Sequence, residues 1–388
     1  MQYRNVRSAN GEVLEGKKYT YDALGNITEI QESETVSGSS VRRTKVRYTY
    51  DDQNQLRTET RYTYSSNTDT TGTSVTYTYN YDTAGNLQSV QKNGATVQTY
   101  TYGDSQWRDL LTKVGGTTIS YDASGNPTNW YNGAKSYSGL TWKNGRQLAQ
   151  ITTGGRTSAY RYDADGIRTY KKVGSVAHEY RSLNGKVVYE KIGSGSTAKI
   201  MIFSYDAQGR PFAVKYSANN GGSYITYFYA LNQQGDVVKI FRSLPSRDSN
   251  GNLIGLTEAV YATYTYDAWG NILSQSGSMA GVNPLRYRGY YYDSETGFYY
   301  LQSRYYDPAT RRFINADAPE YSTMSAYGLN NSNLFVYCQN NPIAYGDENG
   351  EWLNFLIGAV VGAVVNAAST IVDAVQEGGL SALGDGKT

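Results

Sequence analysis

Cysteine and histidine are almost missing from this chain of 388 residues, which has one of each, Cys338 and His178. A disulfide framework needs paired cysteines and a zinc site of the usual kind draws on clustered Cys and His, so both are excluded. No metal or cofactor is expected. Cys338 has no histidine near it in sequence and reads as a packed residue rather than a nucleophile. His178 lies in a strand-like run between Ala177 and Glu179 and reads as structural or exposed rather than catalytic. An excess of either charge is also lacking: 36 Lys and Arg against 34 Asp and Glu leave +2. That is too little to attract nucleic acid or an anionic membrane, and no nucleic-acid partner is expected. Residues Met1–Arg7 contain no apolar stretch of the signal-peptide kind. The chain is therefore read as not exported by that route, or as a piece of a longer protein.

Tyrosine and glycine are what the chain has, 40 and 41 residues against eight Phe and seven Pro. A tyrosine ring buries a large area while its hydroxyl needs a partner, so wet, two-sided sheet walls are expected rather than a dry core. Many of the tyrosines belong to a repeat, Tyr-Asp-x-x-Gly-Asn, at Tyr21–Asn26, Tyr81–Asn86, Tyr121–Asn126 and Tyr266–Asn271. Looser copies start at Tyr50, Tyr162 and Tyr205, and Asn232–Asp236 is a worn one. Regular self-similarity governs a fold before any single site does.

Between copies the sequence alternates. Val75, Tyr77, Tyr79 and Tyr81 share one face with small polar residues opposite, the period-two pattern of a strand. Gly-Asn supplies positive φ for a tight hairpin, and the Asp accepts backbone N–H groups in the turn. Ser37–Ser40, Ser65–Ser74, Gly193–Thr197 and Ser246–Asn252 read as loops between hairpins. The region is all β. Single hairpins are marginal in water, so an extended, curling sheet is the expected outcome.

The last repeat leads into a motif-rich segment: Asn283-Pro284, Tyr287-x-Gly289, Tyr292-Asp293-x-x-Thr296-Gly297-Phe298-Tyr299-Tyr300, Arg304-Tyr305-Tyr306-Asp307-Pro308, Arg312-Phe313-x-x-x-Asp317 and Asn340-Asn341-Pro342-x-x-Tyr345-x-Asp347-x-x-Gly350. The repeats resemble the YD repeats of RHS proteins, a family with wall-associated, toxin-complex C-type and teneurin members. Residues 283–350 resemble its repeat-associated core domain. The resemblance implies YD-repeat hairpins over 1–282 in a spiralled sheet forming part of a hollow shell. It implies a core domain over 283–350 that plugs one end, and over 351–388 the start of a variable, pre-toxin region. The function implied is that of a polymorphic-toxin shell which encloses and delivers its own C-terminal effector, missing or truncated here, from a secreted or cell-surface parent.

The resemblance also implies one self-cleavage of aspartyl type at Glu351–Trp352, with Arg304, Asp317 and Asp347 at the matching positions. Two carboxylates held together do not both ionise readily, so one activates water while the other stays protonated, and Arg304 orients them. Glu348 and Glu351 depart from the family, which has Pro and Leu there. The competing reading has Asp317 and Asp347 as turn caps and Arg304 as a buried ion-pair partner. Asp307 reads as a turn residue.

From Leu353 to Val375 the sequence turns apolar, with no charge until Asp373, and an apolar helix is expected. Its length spans a bilayer and Gly358 and Gly362 form a pairing face, yet Asn366, Ser369 and Thr370 interrupt it. A membrane-seeking helix and a helix packed on the shell wall both stay open. Gly386-Lys387-Thr388 lacks the rest of a phosphate loop.

The reading from a different class is a cell-surface adhesion or carbohydrate-binding protein, with exposed Tyr and Trp faces (Trp107, Trp130, Trp142 and Trp269) stacking on sugars. A glycosidase lacks any motif. Expected partners are the chain's own C-terminal segment and target-cell glycans or membrane, with edge-to-edge self-association of a partial array.

Overall fold

The repeat is a self-closing loop. In the computed structural model, which describes residues 2–7, 13–36, 39–66, 69, 71–317, 333–350 and 353–355, Asp22 Oδ1 accepts the backbone N–H groups of Leu24 at 3.0 Å and Asn26 at 2.9 Å. Its Oδ2 accepts the Asn26 amide at 2.9 Å, and the Asp22 N–H donates to the Asn26 carbonyl at 3.0 Å. Asp82, Asp122 and Asp267 hold their loops in the same way. Only the glycine takes positive φ, +86° at Gly25 and +90° at Gly270. The expectation that Asn shares this conformation is corrected: Asn26 and its equivalents serve as side-chain donors that fill the second carboxylate oxygen. In the copy at Asp51, which has no glycine, Asn54 takes φ +63° and the Gln55 amide does the donating.

In several copies the tyrosine ties one loop to the one before it. Tyr162 donates its hydroxyl to the Leu148 carbonyl at 2.8 Å, Tyr205 to Val187 at 2.8 Å and Tyr266 to Val237 at 2.9 Å. Tyr81 does the same to Leu56 at 2.9 Å. Each acceptor is the first or second residue of a strand just after an earlier turn, so the hydroxyl satisfies a carbonyl at the sheet margin.

The chain divides into two compact units. The smaller contains the described residues of 1–49 and 59–75. In it Gln2–Arg7, Val13–Tyr21, Ile27–Val36 and Ser39–Tyr50 pair antiparallel in sequence order. Arg43 stacks over the Tyr64 ring at 4.7 Å, and Tyr64 donates to the Thr44 carbonyl at 3.0 Å.

The larger unit, 50–58 with 76–355, contains a 13-stranded antiparallel sheet whose strands neighbour one another in strict sequence order from Trp130–Tyr131 to Ile272–Ser276. In such a meander the turns alternate between margins. The loops at Asp163, Asp206, Asn232 and Asp267 fall on one margin. Asp248–Asn252, read as a featureless loop in the sequence, is another copy: Asp248 accepts from Asn250 N, Asn252 N and the Asn252 amide. It sits on the opposite margin and has no tyrosine before it.

Residues 283–350 belong to this larger unit. Tyr291–Asp293, Phe298–Leu301, Arg304–Asp307 and Arg312–Phe313 form a small antiparallel sheet whose residues are buried almost throughout. Its rings meet those of the large sheet, Tyr291 against Tyr180 at 5.5 Å and Phe298 against Tyr137 at 4.8 Å. Two of its tyrosines, with Tyr287 just before it, grip the last repeat: Tyr287, Tyr306 and Tyr299 donate to the successive carbonyls of Ala268, Trp269 and Gly270 at 2.8, 2.7 and 2.8 Å. The expectation of wet tyrosine walls is corrected here. Tyr299, Tyr306 and Tyr337 are fully buried, which costs little because backbone and tyrosine oxygens satisfy the hydroxyls.

The expected apolar helix over 353–375 is corrected at its first turn. Leu353–Phe355 is a strand paired antiparallel with Tyr345–Asp347, with Asp347 opposite Leu353. The rest of that stretch lies outside the described residues. Among the described residues no helix is long and apolar enough to cross a membrane.

Candidate self-cleavage site

Arg304 opens its strand immediately after the hairpin tip Gln302-Ser303, where Gln302 takes φ +60°. Its guanidinium lies over the Phe313 ring at 3.6 Å and reaches both predicted carboxylates through one nitrogen. Nη2 stands 3.0 Å from Asp317 Oδ2 and 3.5 Å from Asp347 Oδ2. Nη1 donates to the Leu334 carbonyl at 3.1 Å, and Nε donates to the Gly350 carbonyl. The structure thus brings together all three residues picked out in the sequence.

The two acids are held differently. Asp347 is buried; its Oδ1 accepts the Gly350 N–H at 2.8 Å and its own N–H donates to the Tyr290 hydroxyl at 2.8 Å. Asp317 is more open, with its N–H on the Leu334 carbonyl at 2.9 Å and Arg146 at 3.6 Å. Arg304 thus bridges the two carboxylates, and Arg146 lies on the far side of Asp317. Glu348, standing where the family has Pro, turns away to Lys186 at 3.0 Å and does not join the pair. Glu351 and Trp352 lie outside the described residues.

Other strong groups escaped the sequence reading. Arg168 and Asp293 form a fully buried bidentate pair at 2.6 and 3.1 Å, and Lys171 adds a contact to Asp293 at 2.8 Å and to Glu295 at 3.1 Å. Burial pushes the Asp293 carboxyl up, but the charges of Arg168 and Lys171 outweigh it and hold the group below its ordinary value. Tyr180, Tyr291 and Tyr300 rings surround Arg168 within 5.1 Å. The signal available in the sequence was a cation at an inward strand position among tyrosines.

Asp307 is a turn residue as read, accepting from Ala309 N at 3.0 Å, and it also binds Trp130 Nε1 at 2.8 Å. Burial pushes its carboxyl up to about 6. Cys338 is buried with its thiol pushed well up by burial, and His178 pairs with Glu190 at 2.7 Å inside the sheet, so both have packing partners as expected.

None of the four tryptophans proposed for sugar stacking is exposed. Trp130 and Trp269 are fully buried, and the half-buried Trp142 donates to the Pro127 carbonyl at 2.8 Å while Trp107 packs on Phe335 at 5.7 Å.

Comparison with known proteins agrees with this architecture. The family described as Teneurin YD-shell matches residues 2–343. The tRNA3(Ser)-specific nuclease WapA of Bacillus spizizenii is 34% identical over 257 residues, 64% of this chain and 10% of that protein. Toxin subunit YenC1 of Yersinia entomophaga is 25% identical over 394 residues, 88% of this chain and 37% of that protein. The chain thus spans about a tenth of the WapA relative. Among solved structures, the TcdB2-TccC3-Cdc42 crystal structure matches with a TM-score of 0.65 at 22% identity, covering 89% of this chain and 17% of that one, a likeness of fold. The chain, a nearly all-β array of YD repeats, belongs to the Teneurin YD-shell family.

Proposed function

We propose that this chain is the shell and core region of an RHS-type polymorphic toxin, which encloses and delivers a C-terminal effector and cuts its own backbone once at Glu351–Trp352. The observation that carries the reading is the single guanidinium of Arg304 touching Asp317, Asp347 and the Gly350 carbonyl. These contacts set a carboxylate pair beside the backbone that leads into the bond. Water adds through its oxygen to the Glu351 carbonyl carbon while one carboxylate takes its proton. The C–N bond then breaks as the protonated partner gives a proton to the Trp352 nitrogen, leaving a new carboxyl on Glu351 and a new amino group on Trp352. Arg304 steadies the negative charge that develops.

Support for the toxin context comes from the relatives: one is described as a toxin subunit and another as a nuclease, and a solved relative is described as lacking a hypervariable C-terminal region. A secreted or surface parent fits that company. The adhesion reading is disfavoured by the covered tryptophans. Intact-mass spectrometry of the purified chain beside Asp347→Asn tests the proposal. Two pieces split at Glu351–Trp352 in the first and one whole chain in the second are expected. Two whole chains would leave 304–347 as a plug without catalysis.

A further inference from the structure

Three consecutive carbonyls just before the predicted scissile bond are held, in order, by three consecutive residues. The Gln302 amide donates to the Glu348 carbonyl at 3.3 Å. Ser303 donates to the Asn349 carbonyl twice, through its hydroxyl at 2.8 Å and its N–H at 3.2 Å. Arg304 Nε donates to the Gly350 carbonyl. The grip is close: at Gly350, with φ +77°, an added Cβ would stand 2.6 Å from Ser303 Oγ and 2.7 Å from the Leu301 carbonyl. Beyond it, Asp347 pairs with Leu353, so the predicted bond falls in the short connection between those two strand ends.

We infer that the hairpin tip Gln302-Ser303 is a register clamp: it positions the backbone so that the Glu351–Trp352 bond, and no neighbour, is presented to Asp317 and Asp347. The inference rests on the self-cleavage reading. Its physical basis is that a carbonyl grip is indifferent to side chains while the space at Gly350 is not: sliding the segment by one residue would drive a side chain into it. It also accounts for the departure at Glu348, which the clamp holds by its carbonyl while its side chain turns to Lys186. Gln302 and Ser303 act through the carbonyls they hold and are positioning residues.

The test follows cleavage during cell-free translation of the chain, with fragment masses read over time, for wild type, Ser303→Ala, Ser303→Thr, Gln302→Ala and Asp347→Asn. A displaced reacting bond costs on the order of tenfold to a hundredfold in rate. Ser303→Ala is expected to slow cleavage at least about tenfold and to add fragments from neighbouring bonds, while Ser303→Thr, which keeps the hydroxyl, restores the single bond. A merely structural role would not change which bond is cut. Should Ser303→Ala fail to fold, Gln302→Ala at the half-buried hairpin tip carries the same readout. Wild type cut, with the clamp variants cutting the same bond at rates within about twofold, overturns the clamp and spares self-cleavage. A wild type that stays whole while folded overturns both.

Discussion

Asn232 donates its amide to Asp236 Oδ2 at 2.6 Å, the reverse of the polarity in the other repeat loops. The two residue types have changed places, and Asn232 Oδ1 still accepts from Gln234 N at 3.0 Å and Asp236 N at 2.9 Å, so the loop survives. What changes is where the carboxylate sits. Asp236 Oδ1 is left to receive the N–H and Nη1 of Arg288, at 2.9 and 2.7 Å, from the core segment. The worn copy is a docking point for the core.

Swapping the pair back, Asn232→Asp with Asp236→Asn, is therefore expected to rebuild a standard loop and yet fail to restore stability. Both partners of the Arg288 pair are buried, and removing one side of such a pair costs about 3–5 kcal/mol. Urea unfolding of wild type, Asp236→Asn and the double variant decides it. A double variant as stable as wild type would mean that the loop, not the bond to Arg288, is what Asp236 serves.

The tyrosine tie gives a smaller effect. Tyr205→Phe keeps the ring and loses only the hydroxyl bond to the Val187 carbonyl, a net contribution of about 1 kcal/mol. Thermal unfolding should show a modest loss. Unchanged stability would reduce the tyrosine of the repeat to its ring.

Arg168→Met is expected to cost more, about 3–5 kcal/mol at pH 7, because it leaves Asp293 buried with Lys171 alone. The carboxyl is held below its ordinary value in the folded chain, so its contribution is present above the unfolded value of about 4 and is lost as pH falls through the lower folded value. The gap between wild type and variant should then narrow in acid. A gap constant down to pH 3 would assign the loss to packing of the Arg168 stem among the tyrosines.

These contacts also separate what was legible in the sequence from what was not. The Asp-x-x-Gly-Asn loop is local chemistry: every donor lies within four residues of its acceptor, so the repeat could be read directly. Asp248–Asn252 satisfied the same chemistry and was passed over because the reading was keyed to the preceding tyrosine, which belongs to the tie between loops and not to the loop. Arg304 and Asp347 are 43 residues apart and were found only because their motifs resemble a family. Arg168 and Asp293 are 125 apart with no motif to join them. Any buried cation fits any buried acid in one dimension, and only the meander settles which strand position faces which core residue.

The pH response of Asp307 runs opposite to that of Asp293. Burial raises its carboxyl from 3.8 to about 6 in the folded chain, against the pull of Trp130 Nε1 and Ala309 N. A folded state that binds its proton more tightly than the unfolded one is favoured in acid. The stability this group adds is complete below about pH 4 and is lost as pH rises through about 6. At about 1.4 kcal/mol per unit, a shift of about two units amounts to roughly 3 kcal/mol. Asp307→Asn keeps an acceptor for Trp130 or Ala309 and removes the titration. Its stability relative to wild type should therefore rise between pH 4 and 7, seen as a growing difference in urea midpoint at constant slope. A difference that stays flat across that window would show that Asp307 ionises in place at its ordinary value, its hydrogen bonds offsetting its burial.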